Sequence, residues 1–192
     1  MGIGYASTAN LHTIQADIDR TTNTQQVITY EHHEIHSGSH YFVCNVQDLA
    51  INEVLDITLQ TPDTTSWAHL TWNIDPETET AWHVYEDAVV TNPLANTLTP
   101  VNNNRNHTNT SGLAIKYEVQ GDLATANADT NVTTATLLET GIIGTGKTAG
   151  NDIRDNEIVL KQNTIYCFRA IANTAGYVDF CFNWYEHTNK YS

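Results

Sequence analysis

Three groups of residues in this 192-residue chain have types and spacings that invite chemistry. The first is Gly141-Ile142-Ile143-Gly144-Thr145-Gly146-Lys147-Thr148, a full match to the phosphate-cradling pattern G-x-x-x-x-G-K-T. Such a loop works because a strand delivers it to a helix N-terminus, whose free N–H groups and dipole hold the phosphates. Residues 136–139 supply a strand, but Ala149-Gly150-Asn151-Asp152 reads as a turn, and no apolar strand ending in a magnesium-binding Asp follows. The match therefore reads as a Gly-rich surface loop in which Lys147 binds no nucleotide.

The second group is Glu31-His32-His33-Glu34-Ile35-His36, followed by His40. A zinc metalloprotease needs two His four apart on a helix with a Glu beside the first. His33 and His36 are one residue short of that spacing, and for His32 and His36 the Glu sits at the wrong offset. The flanks read as extended, and in a strand His32 and His36 lie about 13 Å apart, too far to share an ion. The expectation is an edge strand or subunit contact carrying titratable residues, with no metal site.

Cys44, Cys167 and Cys181 are the third group. Their odd count and spacings match neither a disulfide scaffold nor a zinc ribbon, so they read as reduced thiols on strands. No G-x-S-x-G elbow occurs, and scattered histidines define no dyad with a cysteine. Trp67, Trp82, Tyr85 and Tyr117 could stack on sugars as readily as fill a core. Trp67 falls opposite the apolar face of its strand and is the best exposed candidate. No residue is assigned a catalytic, cofactor-binding or metal-ligating role, and the chain reads as a non-enzyme without cofactors.

The elements that would position these groups are strands. From Tyr30 onward, runs of five to nine residues rich in β-branched and aromatic side chains alternate with Gly, Pro, Asn and Asp clusters, the punctuation of antiparallel β-structure. Leu55, Ile57 and Leu59 alternate with Asp56, Thr58 and Gln60, and Leu113, Ile115, Tyr117 and Val119 with Ala114, Lys116 and Glu118. Ala68, Leu70, Trp72 and Ile74 form another apolar set, and so do Trp82 and Val84. Each run thus has one face to bury. Residues 164–173 and 177–186 flank Asn173-Thr174-Ala175-Gly176 and read as a hairpin with Val178, Phe180, Phe182 and Trp184 inward. Its loop length leaves two registers open, Phe168 opposite Phe180 or opposite Cys181.

About ten such strands without helical periodicity imply an all-β antiparallel β-sandwich, jelly-roll-like, because sheets with one apolar face must pack face to face. Residues 30–192 form one domain behind an N-terminal arm, residues 1–29, in which residues 11–18 have the spacing of a short helix. Residues 92–111 and 120–134, rich in Asn and Thr, read as loops or peripheral hairpins.

Eight Lys and Arg against 22 Asp and Glu give a net charge of −14. That field repels nucleic acid and anionic membrane surfaces. No run approaches the roughly 18 apolar residues that span a bilayer, and the first residues carry no secretion signal. The glycosylation-type sequons at Asn106, Asn109 and Asn131 accordingly read as polar loop sequence.

The segment Glu31-His32-His33-Glu34-Ile35-His36-Ser37-Gly38-Ser39-His40-Tyr41-Phe42-Val43 resembles the opening of a family of tailed-bacteriophage virion proteins. Trp67-Ala68-His69-Leu70, Val101-Asn102-Asn103-Asn104-Arg105-Asn106, the Gly-rich 141–150 loop, Glu157-Ile158-Val159-Leu160-Lys161 and Trp184-Tyr185-Glu186 follow in the family's order. The resemblance covers about residues 30–187, and the arm departs most. It implies a capsid decoration (cement) protein on the outside of the shell, partnered by the major capsid protein and self-associating as a homotrimer. It also implies assembly in the host cytoplasm, where free thiols persist. A head-fibre or tail module that binds a receptor or glycan is the alternative, since related sandwiches serve there too.

Overall fold

The computed structural model describes residues 30–121, 132–133, 136–144 and 152–188; the expected N-terminal arm and Lys147 lie outside them. Among the described residues the chain forms one helix, α1 (Tyr30–Ser37), and thirteen strands. β1 (His40–Leu49), β2 (Val54–Gln60), β3 (Ser66–Pro76) and β4 (Thr80–Glu86) come first. Short strands follow: β5 (Val89–Val90), β6 (Asn96–Leu98), β7 (Val101–Asn102), the longer β8 (Ala114–Gln120), and β9 (Val132–Thr133). β10 (Thr136–Ile143), β11 (Asp152–Val159), β12 (Ile165–Ala172) and β13 (Gly176–Thr188) complete the fold.

The strands form a five-stranded sheet, β11-β3-β13-β1-β7, and a six-stranded sheet, β10-β4-β12-β2-β8-β6, with β5-β9 as a separate ribbon. All pairings are antiparallel. The long strands pair first with last and then inward: β1 with β13, β2 with β12, β3 with β11 and β4 with β10. Along β1 to β4 and again along β10 to β13, successive strands change sheet, except that β4 and β10 stay paired. This is the course of one long antiparallel ribbon rolled into two layers, the jelly-roll form of an all-β sandwich.

Period-two patterning makes the layers adhere. Leu55, Ile57 and Leu59 of β2, Leu70, Trp72 and Ile74 of β3, and Val178, Phe180, Phe182 and Trp184 of β13 are all buried in one core between the sheets. Burying each large apolar side chain contributes roughly 1.5–3 kcal/mol. Phe168 of β12 reaches across the layers to meet Trp72, Phe180 and Phe182 edge-on, with ring centroids 5.1, 6.3 and 4.8 Å away. Edge-to-face packing suits the ring quadrupoles.

Three expectations are corrected. β12 and β13 are not a hairpin: they lie in opposite sheets, so neither register proposed for Phe168 applies. Residues 173–175 form an arch between layers, and Asn173 and Thr174 donate backbone hydrogen bonds to Glu79 O in the β3–β4 arch beneath. A turn-forming sequence between two apolar strands serves an arch as well as a hairpin, and local pattern does not distinguish them.

Cys181 and Cys44 form a disulfide, leaving Cys167 as the free cysteine. The two bonded residues face each other directly on β1 and β13, with Cα atoms 4.1 Å apart. Cys167, on the strand read as the hairpin partner of the one that carries Cys181, is instead in the other sheet and fully buried.

Residues 31–36 are helical rather than extended. The helix ends at Gly38, whose φ of +76° suits a C-terminal cap, and Gly38 N–H and Ser39 N–H donate to Ile35 O and Glu34 O.

Candidate functional site

The outer face of the five-stranded sheet carries a cluster of titratable residues, of which Glu31 and His40 belong to the histidine-rich segment singled out from sequence. On β13 the even-numbered residues 178–184 fill the core, so Tyr185 and His187 project outward beside His69 of β3; the register sets Tyr185 opposite His69 and His187 opposite Trp67. Tyr185 OH donates to Glu157 Oε2 at 2.7 Å, and His69 Nδ1 lies 3.2 Å from the same oxygen. His69 Nε2 and His187 Nε2 are 2.8 Å apart. Tyr185 stacks on His69 at 4.6 Å and on His40 at 6.4 Å. His40 accepts from Asn103 Nδ2 on one side and lies 3.5 Å from Glu31 Oε1 on the other. Burial lowers the pKa of both His40 and His69, against the pull of Glu31 on the first and Glu157 on the second. The network thus joins α1, β1, β3, β11 and β13 around a cleft of about 100 Å³.

On α1, one helical turn brings His32 and His36 together, Nε2 to Nε2 at 2.8 Å with rings stacked at 4.7 Å. The 13 Å separation expected of a strand does not apply. Glu34 is buried instead, accepting from the Ser39 hydroxyl, and takes no position beside that pair. No group of three or more His, Cys, Asp and Glu side chains placed to hold a metal ion occurs among the described residues.

The outer face of the six-stranded sheet is covered. Ala88, Leu94 and Val132, from the long connection between β4 and β10, pack on Cys167 in a second small core. Beneath them Arg169 grips Asp56 in a bidentate pair, Nε to Oδ1 at 2.6 Å and Nη2 to Oδ2 at 2.8 Å. Gln120 Nε2 donates to the same carboxylate at 2.8 Å, and Arg169 Nη2 donates to Val132 O at 3.0 Å. Asp56 is fully buried although its alternation with Leu55 and Ile57 implied a solvent face. Sequence periodicity located the outer face; it could not reveal that a distant segment folds over it. Burial among these groups, with the Asp56 charge adding to it, pushes the Cys167 thiol far up, so it stays protonated. Between this cover and the sheet runs a cleft of about 340 Å³, walled by Val90, Pro93 and Leu94 and floored by Thr58, Gln60, Ala114, Lys116 and Ile165.

The G-x-x-x-x-G-K-T match opens inside a strand. Gly141 belongs to β10, opposite Trp82 of β4, and a Cβ at Gly141 would stand 2.6 Å from the Trp82 indole nitrogen. The first glycine of the pattern therefore gives room to a buried tryptophan. Ile142 and Ile143 continue the strand, and residues 145–148 lie outside the described residues.

Of the aromatic platform considered from sequence, Trp82 is core and only 2% exposed. Trp67 is half-buried on the outer face, lining a shallow groove with Val159, Lys161 and Gln162. A further exposed apolar surface lies on β10, an edge strand, which presents Leu137, Leu138 and Ile142, the last at 71%, with Glu139 as its single charge. Sequence reading missed this edge, though Leu137, Leu138 and Ile142 in a strand with few inward positions were its signal.

No family model matches the chain, and no similar curated protein or solved structure was found. No helix among the described residues is long and apolar enough to cross a membrane.

Proposed function

We propose that this chain is a non-enzymatic virion structural protein, a capsid decoration protein that binds the outer surface of the major capsid shell and associates with copies of itself, as a trimer. The observation that carries this reading is the apolar β10 edge of a rolled sandwich. Soluble sandwiches protect their edges with charge, Pro or bulges, because unpaired N–H and C=O groups recruit other strands. β10 has a bulge at Leu137–Glu139 yet keeps three exposed large apolar side chains, the chemistry of a surface meant to be covered. Jelly rolls recur in viral capsid and lectin domains, and the sequence resemblance to tailed-phage virion proteins points to the first of these. The strong negative charge keeps unassembled chains soluble.

The test is binding to purified shells that lack the protein. Hundreds of copies per shell, reduced by Ile142→Asp or Leu138→Asp in a variant that melts like wild type, are expected. A dozen or fewer copies per particle would overturn decoration in favour of a fibre or tail position. A single-chain mass by light scattering at micromolar concentration would overturn the trimer. The second reading, a glycan- or receptor-binding head-fibre or tail module, is favoured by the cleft lined by Thr58, Gln60, Thr91 and Lys116.

A further inference from the structure

We propose that His69 and His187 are the two protein ligands of a surface site for a divalent transition-metal ion of the copper, nickel or zinc class. The partners of the two rings fix where their protons lie. Thr188 O can only accept, so His187 Nδ1, 2.9 Å away, carries a proton. Tyr185 OH directs its proton to Glu157 at 2.7 Å. The carboxylate and the remaining lone pair of that hydroxyl both accept, so His69 Nδ1, 3.2 and 3.1 Å from them, is protonated as well. In two neutral rings so fixed, the lone pairs sit on the Nε2 atoms, and these face each other at 2.8 Å.

Facing lone pairs repel, and a cation between them converts repulsion into two bonds. Metal-ligating histidines almost always donate their other ring N–H to a carboxylate or a backbone carbonyl, which sets the tautomer and raises the basicity of the ligating nitrogen. His69 has the carboxylate and His187 the carbonyl. The Tyr185 ring, stacked against both imidazoles, holds their planes.

Metal–nitrogen bonds of about 2.0–2.1 Å at a tetrahedral angle need the two Nε2 atoms roughly 3.3 Å apart. The half-buried His187, near the end of β13, can supply that small opening. Water fills the remaining positions. Imidazole pairs suit copper, nickel and zinc, and a single proton is the competitor for the same gap. The two residues are 118 apart in sequence, which is why no spacing motif announced them.

The test is calorimetry of the full chain with copper or zinc ions alone, in a His32→Gln/His36→Gln background that removes the helical pair. One ion per chain with micromolar affinity is expected. His69→Gln and His187→Gln should each weaken binding about tenfold or more. Glu157→Gln should weaken it about 10–100-fold without changing stoichiometry. Electron paramagnetic resonance of the copper form should show two coordinated nitrogens, reduced to one by His187→Gln. Equal affinity in a folded His69→Gln/His187→Gln double variant would overturn the site and leave a shared proton as the cation in the gap.

Discussion

Phe168 and Phe182 meet edge to face across the sandwich, ring centroids 4.8 Å apart and planes at 76°, although they sit on consecutive strands. Only an arch that carries the chain from one sheet to the other allows this. The consequence is that the last two long strands each hold one layer, and their aromatic rings hold the layers together.

Phe180→Ala should therefore cost about 3–5 kcal/mol, a large part of a typical domain's stability. Phe180 is fully buried, stacks beside Phe182 at 5.8 Å and meets Phe168 across the layers at 6.3 Å. Urea unfolding measures the loss. A midpoint close to that of the unaltered protein would contradict the interlayer role of β13.

The strands, their inward faces and the two-layer architecture were legible because burial on one face imposes a period of two, as in Leu55-Asp56-Ile57-Thr58-Leu59 and Val178-Asp179-Phe180-Cys181-Phe182. Partnership between strands was not legible. Cys44 and Cys181 are 137 residues apart, and only the pairing of the first long strand with the last brings them together. The same holds for His69 with His187 and Arg169 with Asp56. The helix at residues 30–37 was missed because its mix of His, Glu and Ser shows little amphipathic contrast.

Thiol counting tests the pairing of the cysteines. Denatured but unreduced protein should titrate one free thiol, Cys167, of its three cysteines. In the native state even that thiol should resist labelling, since it is buried and its pKa is pushed well up by burial first and by Asp56 second. Cys44→Ser should lower stability by about 2–4 kcal/mol, because the bond closes a long loop in the unfolded chain. Three reactive thiols after denaturation would mean that β1 and β13 are not bridged.

Glu86 provides an acid-sensitive tie between β4 and the turn after β11. Its carboxylate accepts from Lys161 Nζ at 2.5 Å and from Tyr166 OH at 2.9 Å, while Tyr166 OH accepts from Lys161 N–H at 2.9 Å. The Lys161 bond, more than Tyr166, holds the Glu86 carboxyl below its ordinary value despite burial. A depressed folded pKa contributes stability above the unfolded glutamate pKa, and that contribution disappears as pH falls through the folded value. Glu86→Gln should thus be less stable than wild type at neutral pH, with the two melting temperatures converging in acid. An offset that stays constant from neutral to acid pH would remove Glu86 from the tie.

Gly141 separates the two readings of the G-x-x-x-x-G-K-T match. If the pattern is a phosphate loop, Gly141 serves a ligand and Lys147→Ala abolishes nucleotide binding. If Gly141 serves Trp82, the damage from altering it is structural. A Cβ at residue 141 would stand 2.6, 2.8 and 2.9 Å from three atoms of the Trp82 indole, closer than real side chains approach. The indole is 2% exposed and packed in the main core, so it cannot simply swing into solvent. Gly141→Ala should therefore cost about 1–3 kcal/mol, the usual penalty of overpacking a filled interior. Lys147→Ala should leave stability unchanged, and calorimetry with ATP and magnesium should register no binding in either variant or in the unaltered chain. Pairing Gly141→Ala with Trp82→Phe, which shortens the ring that the methyl strikes, should recover part of the loss. Micromolar ATP affinity that vanishes in Lys147→Ala, or a Gly141→Ala protein as stable as wild type, would show that the glycine answers to a ligand and not to the tryptophan across the strand.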